Sequence, residues 1–304
     1  MSRHAWAWIA QWRPLGKSPL GAYIRLNEWM WRHLPQSLTE RGPLHAYGRM
    51  MHSLVRQQGN RRQYLGTFFL RNRPELQLIG RLAKGVRHDP VRLAVLGCSN
   101  GAEVYSVVWA VRSAEPGSRL VVHAVDISEE VLKVAREGAY SRDVSELVNE
   151  PIFERMTEDE IRRLFDEDGE RLRIKPGLRE GIVWQAGDAR DPRMVEALGR
   201  QDIVVANAFL CHMEPVEAEQ CLRNIAGLVA PGGHLVVSGI DLDVRAKVAG
   251  ELGWKPVRDA MEDIHDGDRS LRRSWPWKYW GLEPFDGTRP DWMLRYASVF
   301  QIGG

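Results

Sequence analysis

The sequence predicts an α/β chain, a doubly wound and mainly parallel sheet behind a helical N-terminal region. Two observations carry this. From about residue 90 onward, short apolar runs rich in β-branched residues alternate with amphipathic stretches: RLAVLG, EVYSVVWAVRSA, RLVVHAVD, SEEVLKVAREG. That is the rhythm of βαβ units whose strands are buried on both faces. Residues 1–85, by contrast, hold no β-branched run, are rich in Trp, Arg and Leu, and place apolar residues at helical spacing, as at Tyr23, Leu26, Trp29 and Met30.

Taken in order, residues 1–85 read as a helical domain and residues 86–304 as the sheet domain. Trp6, Trp8, Trp12, Trp29 and Trp31 either pack between helices or form a substrate-facing aromatic surface. Arg56, Arg61 and Arg62 read as a solvated helix face or as a patch for an acidic helical partner. Within the sheet domain, residues 141–182 are highly charged and hold RLRIK ahead of GIVWQAGD, which suggests a small β subdomain attached to the main sheet's edge. The α/β rhythm resumes with DIVVANAF, a helical EPVEAEQCLRNIAGLV, a Pro231-Gly232-Gly233 turn and the strand HLVVSGI. The Trp- and Pro-rich C-terminus either closes over a site as an aromatic lid or ends the sheet with an antiparallel strand around Met293 to Phe300.

Bulk composition narrows the function classes. The 42 basic and 40 acidic residues leave a formal charge of only +2, so no global field marks a nucleic-acid or membrane-surface binder. The longest purely apolar run, Val107 to Val111, is too short to span a membrane, and the N-terminus lacks a signal-peptide pattern. Three cysteines, Cys98, Cys211 and Cys221, make no even-numbered framework, and the chain reads as cytoplasmic. Cys211, His212 and Cys221 lack zinc spacing, and Asp263, Asp266 and Asp268 lack the calcium-loop pattern, so these acids read as solvated and no metal is expected. Gly16-Lys17-Ser18 looks like the end of a phosphate loop, but Gln11 stands where the first glycine belongs.

The strongest local signal is Gly97-Cys98-Ser99-Asn100-Gly101-Ala102-Glu103, set directly between a strand-like and a helix-like run. A strand, a tight glycine turn and a helix start bring backbone N–H groups close to a ligand. The spacing departs from the G-x-G-x-x-G of dinucleotide sites. The next strand ends on Asp126, placed to accept from ribose hydroxyls; the alternative, a helix cap, is a task Ser128 can perform. Ribose binding without a pyrophosphate loop favours S-adenosylmethionine over a nicotinamide dinucleotide. Gly187-Asp188 after GIVWQA suits the adenine end, or is a plain loop.

Several separated segments resemble one family. Gly97 to Ser106 resembles the G-C-S-T-G-E-E-P-Y-S motif of the chemotaxis-receptor (CheR-type) carboxyl methyltransferases, and His123 to Ser128, continuing through Leu132, Ala135, Gly138 and Tyr140, resembles that family's A-T-D-I-D segment. Asn207-Ala208-Phe209-Leu210 stands where the family has R-N-V-L-I-Y-F, with Pro231-Gly232-Gly233 at the following turn. Thr67-Phe68-Phe69-Leu70-Arg71 is similar to T-x-F-F-R. The matches are collinear over roughly residues 60 to 240.

The resemblance implies a class I (Rossmann-like) methyltransferase fold, S-adenosylmethionine as cofactor and S-adenosylhomocysteine as product. It implies a cofactor set of Thr67, Arg71, Gly97, Cys98, Ser99, Gly101, Glu103, Asp126, Ile127, Asp188, Ala189, Asn207 and Ala208. Arg71 would lie beside the methyl group and orient a carboxylate acceptor, a task suited to a guanidinium that never loses its proton. Two departures, Cys211-His212-Met213 and Ser238-Gly239-Ile240-Asp241, fall on the acceptor side. His212 is therefore a candidate base should the acceptor be an amine, hydroxyl or thiol. The expected acceptor is a carboxylate on a protein or a small molecule. The alternatives are O- or N-methylation of a metabolite, or a module that binds S-adenosylmethionine without chemistry.

Overall fold

A computed structural model describes residues 19–39, 42–58, 61, 65–142 and 152–303. The helices are α1 (Pro19–Arg32), α2 (Gln36–Thr39), α3 (Gly42–Gln58), α4 (Arg73–Lys84), α5 (Ala102–Ala114), α6 (Glu129–Glu137), α7 (Glu158–Leu164), α8 (Pro176–Arg179), α9 (Met194–Leu198), α10 (Pro215–Ala226), α11 (Leu242–Glu251), α12 (Met261–Asp266), α13 (Arg269–Ser274) and α14 (Trp292–Tyr296). The strands are β1 (Val91–Leu96), β2 (Leu120–Asp126), β3 (Ala139–Ser141), β4 (Phe165–Asp168), β5 (Arg171–Ile174), β6 (Ile182–Ala186), β7 (Gln201–Asn207), β8 (Val229–Ser238), β9 (Lys255–Pro256) and β10 (Val299–Gln301). They divide between two compact units, residues 1–60 with 269–284 and residues 61–268 with 285–304.

In the second unit seven strands form one sheet in the order β6-β2-β1-β7-β8-β10-β9. All neighbours pair in parallel except β10, which is antiparallel to β8 and β9. Numbered by their order within this sheet alone, the strands run 3-2-1-4-5-7-6, the class I methyltransferase order. The chain turns from one half of the sheet to the other between β1 and β7, and ligands bind outside the carboxyl ends of strands at such a switch point.

Alternation along the strands explains the unbroken apolar runs. Leu93, Val95, Ile203 and Val205 face a core shared with α4 and α5, while Ala94, Leu96, Val204 and Ala206 face a second core shared with α10 and α11. Both faces are covered, so successive residues are all buried. Local signals set the helix ends: Asn72 caps α4 through the Glu75 N–H, and Ser128 caps α6, which ends on the left-handed Gly138.

RLRIK and GIVWQA part company in the structure. The former is β5 in a separate three-stranded sheet, β3-β5-β4, and the latter is the edge strand β6 of the main sheet. Phe69 packs here, stacked on Phe153 with ring centroids 5.5 Å apart and edge-on to Phe165 at 5.0 Å. Near the C-terminus the expected long strand is shorter: α14 occupies Trp292–Tyr296, and only Val299–Gln301 joins the sheet.

In the first unit Trp31 meets Trp275 and Trp277 edge-on, each at 5.8 Å. Gly48 of α3 makes room, since a Cβ there would stand 2.3 Å from the Trp275 ring. These tryptophans are packing residues, whereas Trp29 is 62% exposed. Trp6, Trp8, Trp12, the Gly16-Lys17-Ser18 segment and Arg62 lie outside the described residues. No helix among the described residues is long and apolar enough to cross a membrane.

Candidate active site

The turn after β1 is built from left-handed backbone: Gly97 at φ 65°, Ser99 at 46° and Gly101 at 88°. A side chain at Gly101 would also stand 2.9 Å from Trp184 and 3.0 Å from Ala135, so this position takes glycine on two grounds. The turn is tied to β2 by the Cys98 N–H on Val125 O at 3.1 Å and the Ser99 N–H on Asp126 Oδ2 at 2.9 Å. Tyr105 and Ser106 of the same motif are structural. The Tyr105 hydroxyl donates to Ala135 O at 2.7 Å, and Ser106 accepts from the Leu70 N–H at 3.0 Å while donating to Ala102 O.

A cavity of about 250 Å³ opens at the carboxyl ends of β1, β2, β6 and β7. It is lined by Gly97, Ser99 and Glu103, by Asp126 and Ile127, by Asp188 and Ala189, and by Asn207 and Ala208; Thr67, Arg71 and His212 line it too. Cys98 and Gly101 do not; Cys98 is 1% exposed, and both shape the turn from behind. Leu65, Gly66, Arg190, Phe209 and Met213 also line the cavity.

The Asp126 carboxylate spans two N–H groups, Ser99 on one oxygen and Ser128 at 3.0 Å on the other. The α6 cap is Ser128, so Asp126 is left facing the cavity with lone pairs to spare. Arg190 grips Asp188 through both oxygens, Nε on Oδ1 at 3.0 Å and Nη2 on Oδ2 at 2.6 Å, and this hydrogen bonding holds the Asp188 carboxyl below its usual range. Asn207 donates from one nitrogen to Glu75 at 2.7 Å and to Glu103 at 2.9 Å, while its oxygen accepts from the Ser238 N–H and hydroxyl, both at 2.8 Å. Burial raises the Glu103 carboxyl. Burial, reinforced by the charge on Glu103, pushes Glu75 up to about 8.

The segment from 65 to 71 lies across the turn: the Ser99 hydroxyl donates to Leu65 O at 2.7 Å, and Arg71 Nη2 donates to Gly66 O at 3.2 Å. Arg71 sits 4.0 Å from Asp268, which also takes Arg155 at 3.1 Å, so Asp268 is a buried ion-pair residue and not the solvated acid its spacing suggests. Phe68 lies under both guanidinium groups, at 5.4 Å from Arg71 and 4.4 Å from Arg155.

Arg61 departs furthest from its expected place. Its side chain is 3% exposed, and it donates to Cys211 O at 2.9 Å, Met213 O at 2.7 Å and Asp241 Oδ2 at 3.0 Å. It therefore pins the 210–213 turn from inside, and the two segments that depart from the family motif meet on this one cation. An arginine beside other arginines gives no sequence sign of this. Between the pinned carbonyls, His212 is held down to about 4 by burial and then by the charges of Arg61 and Arg71. Burial pushes the Cys211 thiol up to about 12.

Over 194 residues the chain is 27% identical to the probable biofilm formation methyltransferase WspC of Pseudomonas putida, covering 62% of this chain and 42% of that one. It is 25% identical over 168 residues to chemotaxis protein methyltransferase 1 of Pseudomonas aeruginosa, covering 52% and 57%. The chain thus spans about half the length of the curated relatives it matches. Among solved structures, a TehB-like S-adenosylmethionine-dependent methyltransferase from Corynebacterium glutamicum superposes with a TM-score of 0.39 at 14% identity, covering 86% of this chain and all of that one. The model of the CheR methyltransferase, SAM-binding domain family matches residues 66–242, more than half of the sequence, and the chain belongs to that family.

Proposed function

We propose that the protein transfers the methyl group of S-adenosylmethionine to a carboxylate, on a protein or a small-molecule acceptor. The observation that carries this reading is the contrast within one cavity. Three carboxyl residues, Glu103, Asp126 and Asp188, line it together with a cation, Arg71, and a histidine of low basicity.

The residues fit the cofactor. Asp126 accepts from the ribose hydroxyls, Ile127 flanks the base, and Asp188 with Ala189 borders the adenine. Glu103 takes the ammonium group of the methionine part, with Asn207 and Ala208 alongside, and the left-handed Gly97 and Ser99 let backbone approach the nucleoside. Cys98 and Gly101 hold the turn in shape. Thr67 and Arg71 face the methyl group. When bound, S-adenosylmethionine supplies an electrophilic methyl on a sulfonium and departs as S-adenosylhomocysteine.

The protein's own contribution is position. An in-line displacement needs the acceptor oxygen held opposite the leaving sulfur, in a site closed to water. Arg71 holds an ionised carboxylate in one pose, and such an acceptor needs no base. Amine or hydroxyl acceptors benefit from a base of pKa near the working pH, which His212, held to about 4, does not provide.

Two measurements test this. Calorimetric titration with S-adenosylmethionine and S-adenosylhomocysteine is expected to show binding by wild type; a folded protein that binds neither overturns the cofactor assignment. Label transferred from methyl-labelled S-adenosylmethionine to acidic proteins or small acids is expected to be released as methanol by mild alkali, as carboxyl esters are. Alkali-stable label overturns the carboxylate assignment.

A further inference from the structure

One amide in the cavity wall holds two acids. The Asn207 side-chain nitrogen donates to Glu75 Oε1 and Glu103 Oε1, at 2.7 and 2.9 Å, and Ser238 fixes the amide oxygen from the opposite side. Asn207 therefore cannot turn to serve one acid alone. The acids come from different helices, Glu75 from the first turn of α4 and Glu103 from the first turn of α5. Glu103 lines the cavity; Glu75 lies behind it, 3% exposed, with Oε2 buried and no hydrogen-bond partner among the described residues.

The cations nearest the two acids are engaged elsewhere. Of the cations that act on Glu75, Arg71 in the preceding segment donates to Gly66 O, and Arg245 of α11 donates to Val237 O and Arg295 O. The other groups that act on Glu75 are the Glu103 carboxyl from α5 and the neutral Asn207 of β7, whose oxygen Ser238 of β8 holds. Two buried carboxyls hung on one neutral amide resist double ionisation, and the first proton to leave belongs to the pair as a whole. The upward displacement of both acids agrees.

We infer that Glu75 and Glu103 form a proton-sharing carboxyl pair, and that a cationic group seated on Glu103 displaces the shared proton to solvent. The inference rests on the proposed cofactor reading, in which that group is the ammonium common to S-adenosylmethionine and S-adenosylhomocysteine. The balance is simple: one proton leaves the pair for bulk water, its charge passes from minus one to minus two, and the arriving ammonium compensates the change. Glu75 is thus a positioning residue. It steadies Asn207, and through it Glu103, while its proton keeps the free site from carrying excess charge.

Linkage fixes the sign. Binding that releases a proton tightens as pH rises, up to the point where the free pair has already ionised, which is about 8 for Glu75. Affinity for S-adenosylhomocysteine should therefore climb between pH 6 and 8 by up to roughly tenfold per pH unit and level off above.

Calorimetry of S-adenosylhomocysteine binding at pH 7, in buffers of different ionisation enthalpy, counts the protons released. The expected result is a release approaching one proton per site for wild type and close to none for Glu75→Gln, whose amide oxygen still accepts from Asn207. Wild-type binding with no dependence on buffer overturns the inference and leaves the cofactor reading standing. No binding at all overturns both. Infrared spectra of the free wild-type protein give a check that needs no variant: a protonated-carboxyl band should be present at pH 7 and vanish when S-adenosylhomocysteine is added. A spectrum without that band overturns the inference.

Discussion

On one wall of the cavity, Ser99 reaches Asp126 across 27 residues, and the turn that carries it is fixed by the dihedrals of Gly97, Ser99 and Gly101. Elsewhere in the lining, the turn that carries His212 and Met213 is held by Arg61, which stands 150 and 152 residues from the Cys211 and Met213 carbonyls it binds and 180 from Asp241. The first wall is made by backbone conformation within one βαβ unit, and the second by a single side chain arriving from a distant segment. A wall of the first kind tolerates little change. One of the second kind can be reshaped by exchanging a few side chains, and it is here that the chain departs from its family's motif.

The sharpest way to break this contrast is at Arg61. Arg61→Ala strips Asp241 of that cation and two carbonyls of their donor, so chemical denaturation should show a loss of about 3–5 kcal/mol. Pairing Arg61→Met with Asp241→Leu should restore most of that loss while leaving methyl transfer impaired, because the 210–213 turn is no longer pinned. Full activity in the double variant would mean that the pin is irrelevant to the acceptor side.

Asp126→Ala tests the other wall. It removes the proposed ribose contacts and the acceptor for two N–H groups, worth about 2–4 kcal/mol together, so calorimetry should show S-adenosylhomocysteine binding weakened by roughly 30- to 900-fold. A tenfold loss or less would show that the backbone alone holds the nucleoside. Gly101→Ala should cost about 1–2 kcal/mol in thermal unfolding from its left-handed dihedral, with further loss from the contacts at Trp184 and Ala135. A neutral result would mean that the turn relaxes freely.

The smallest effect is expected at His212. With its ring held to about 4, it stays neutral from pH 5 to 8, so His212→Gln should shift kcat/KM by less than about threefold and leave the pH profile in that window unaltered. A rising limb between pH 6 and 7 that disappears in the variant would make His212 a base and move the acceptor away from carboxylates.

The same division explains how far the sequence could be read. The Gly97 to Ser106 turn, Asp126 at a strand end and the buried strands follow from local rules: glycine where φ is positive, unbroken apolar runs where both faces are covered. Arg61 and Asp268 looked solvated because a charged side chain is normally exposed, and only tertiary pairing reverses that expectation. Glu75 is not singled out by the sequence at all, because its link to Asn207 spans 132 residues. The stretch Met293 to Phe300 misled because a short apolar run suits helix and strand alike, and the chain uses it for both.

The first compact unit is assembled from two separate stretches of chain, residues 1–60 and 269–284. Its tryptophan contacts join the two, since Trp31 comes from one and Trp275 and Trp277 from the other. Recombination at a single point therefore cannot exchange this unit between relatives as a cassette. A gene fusion or truncation that replaced residues 1–60 alone would strand two large indoles without their partner, so the N-terminal helices and the late Trp-Pro-Trp segment are constrained to evolve together.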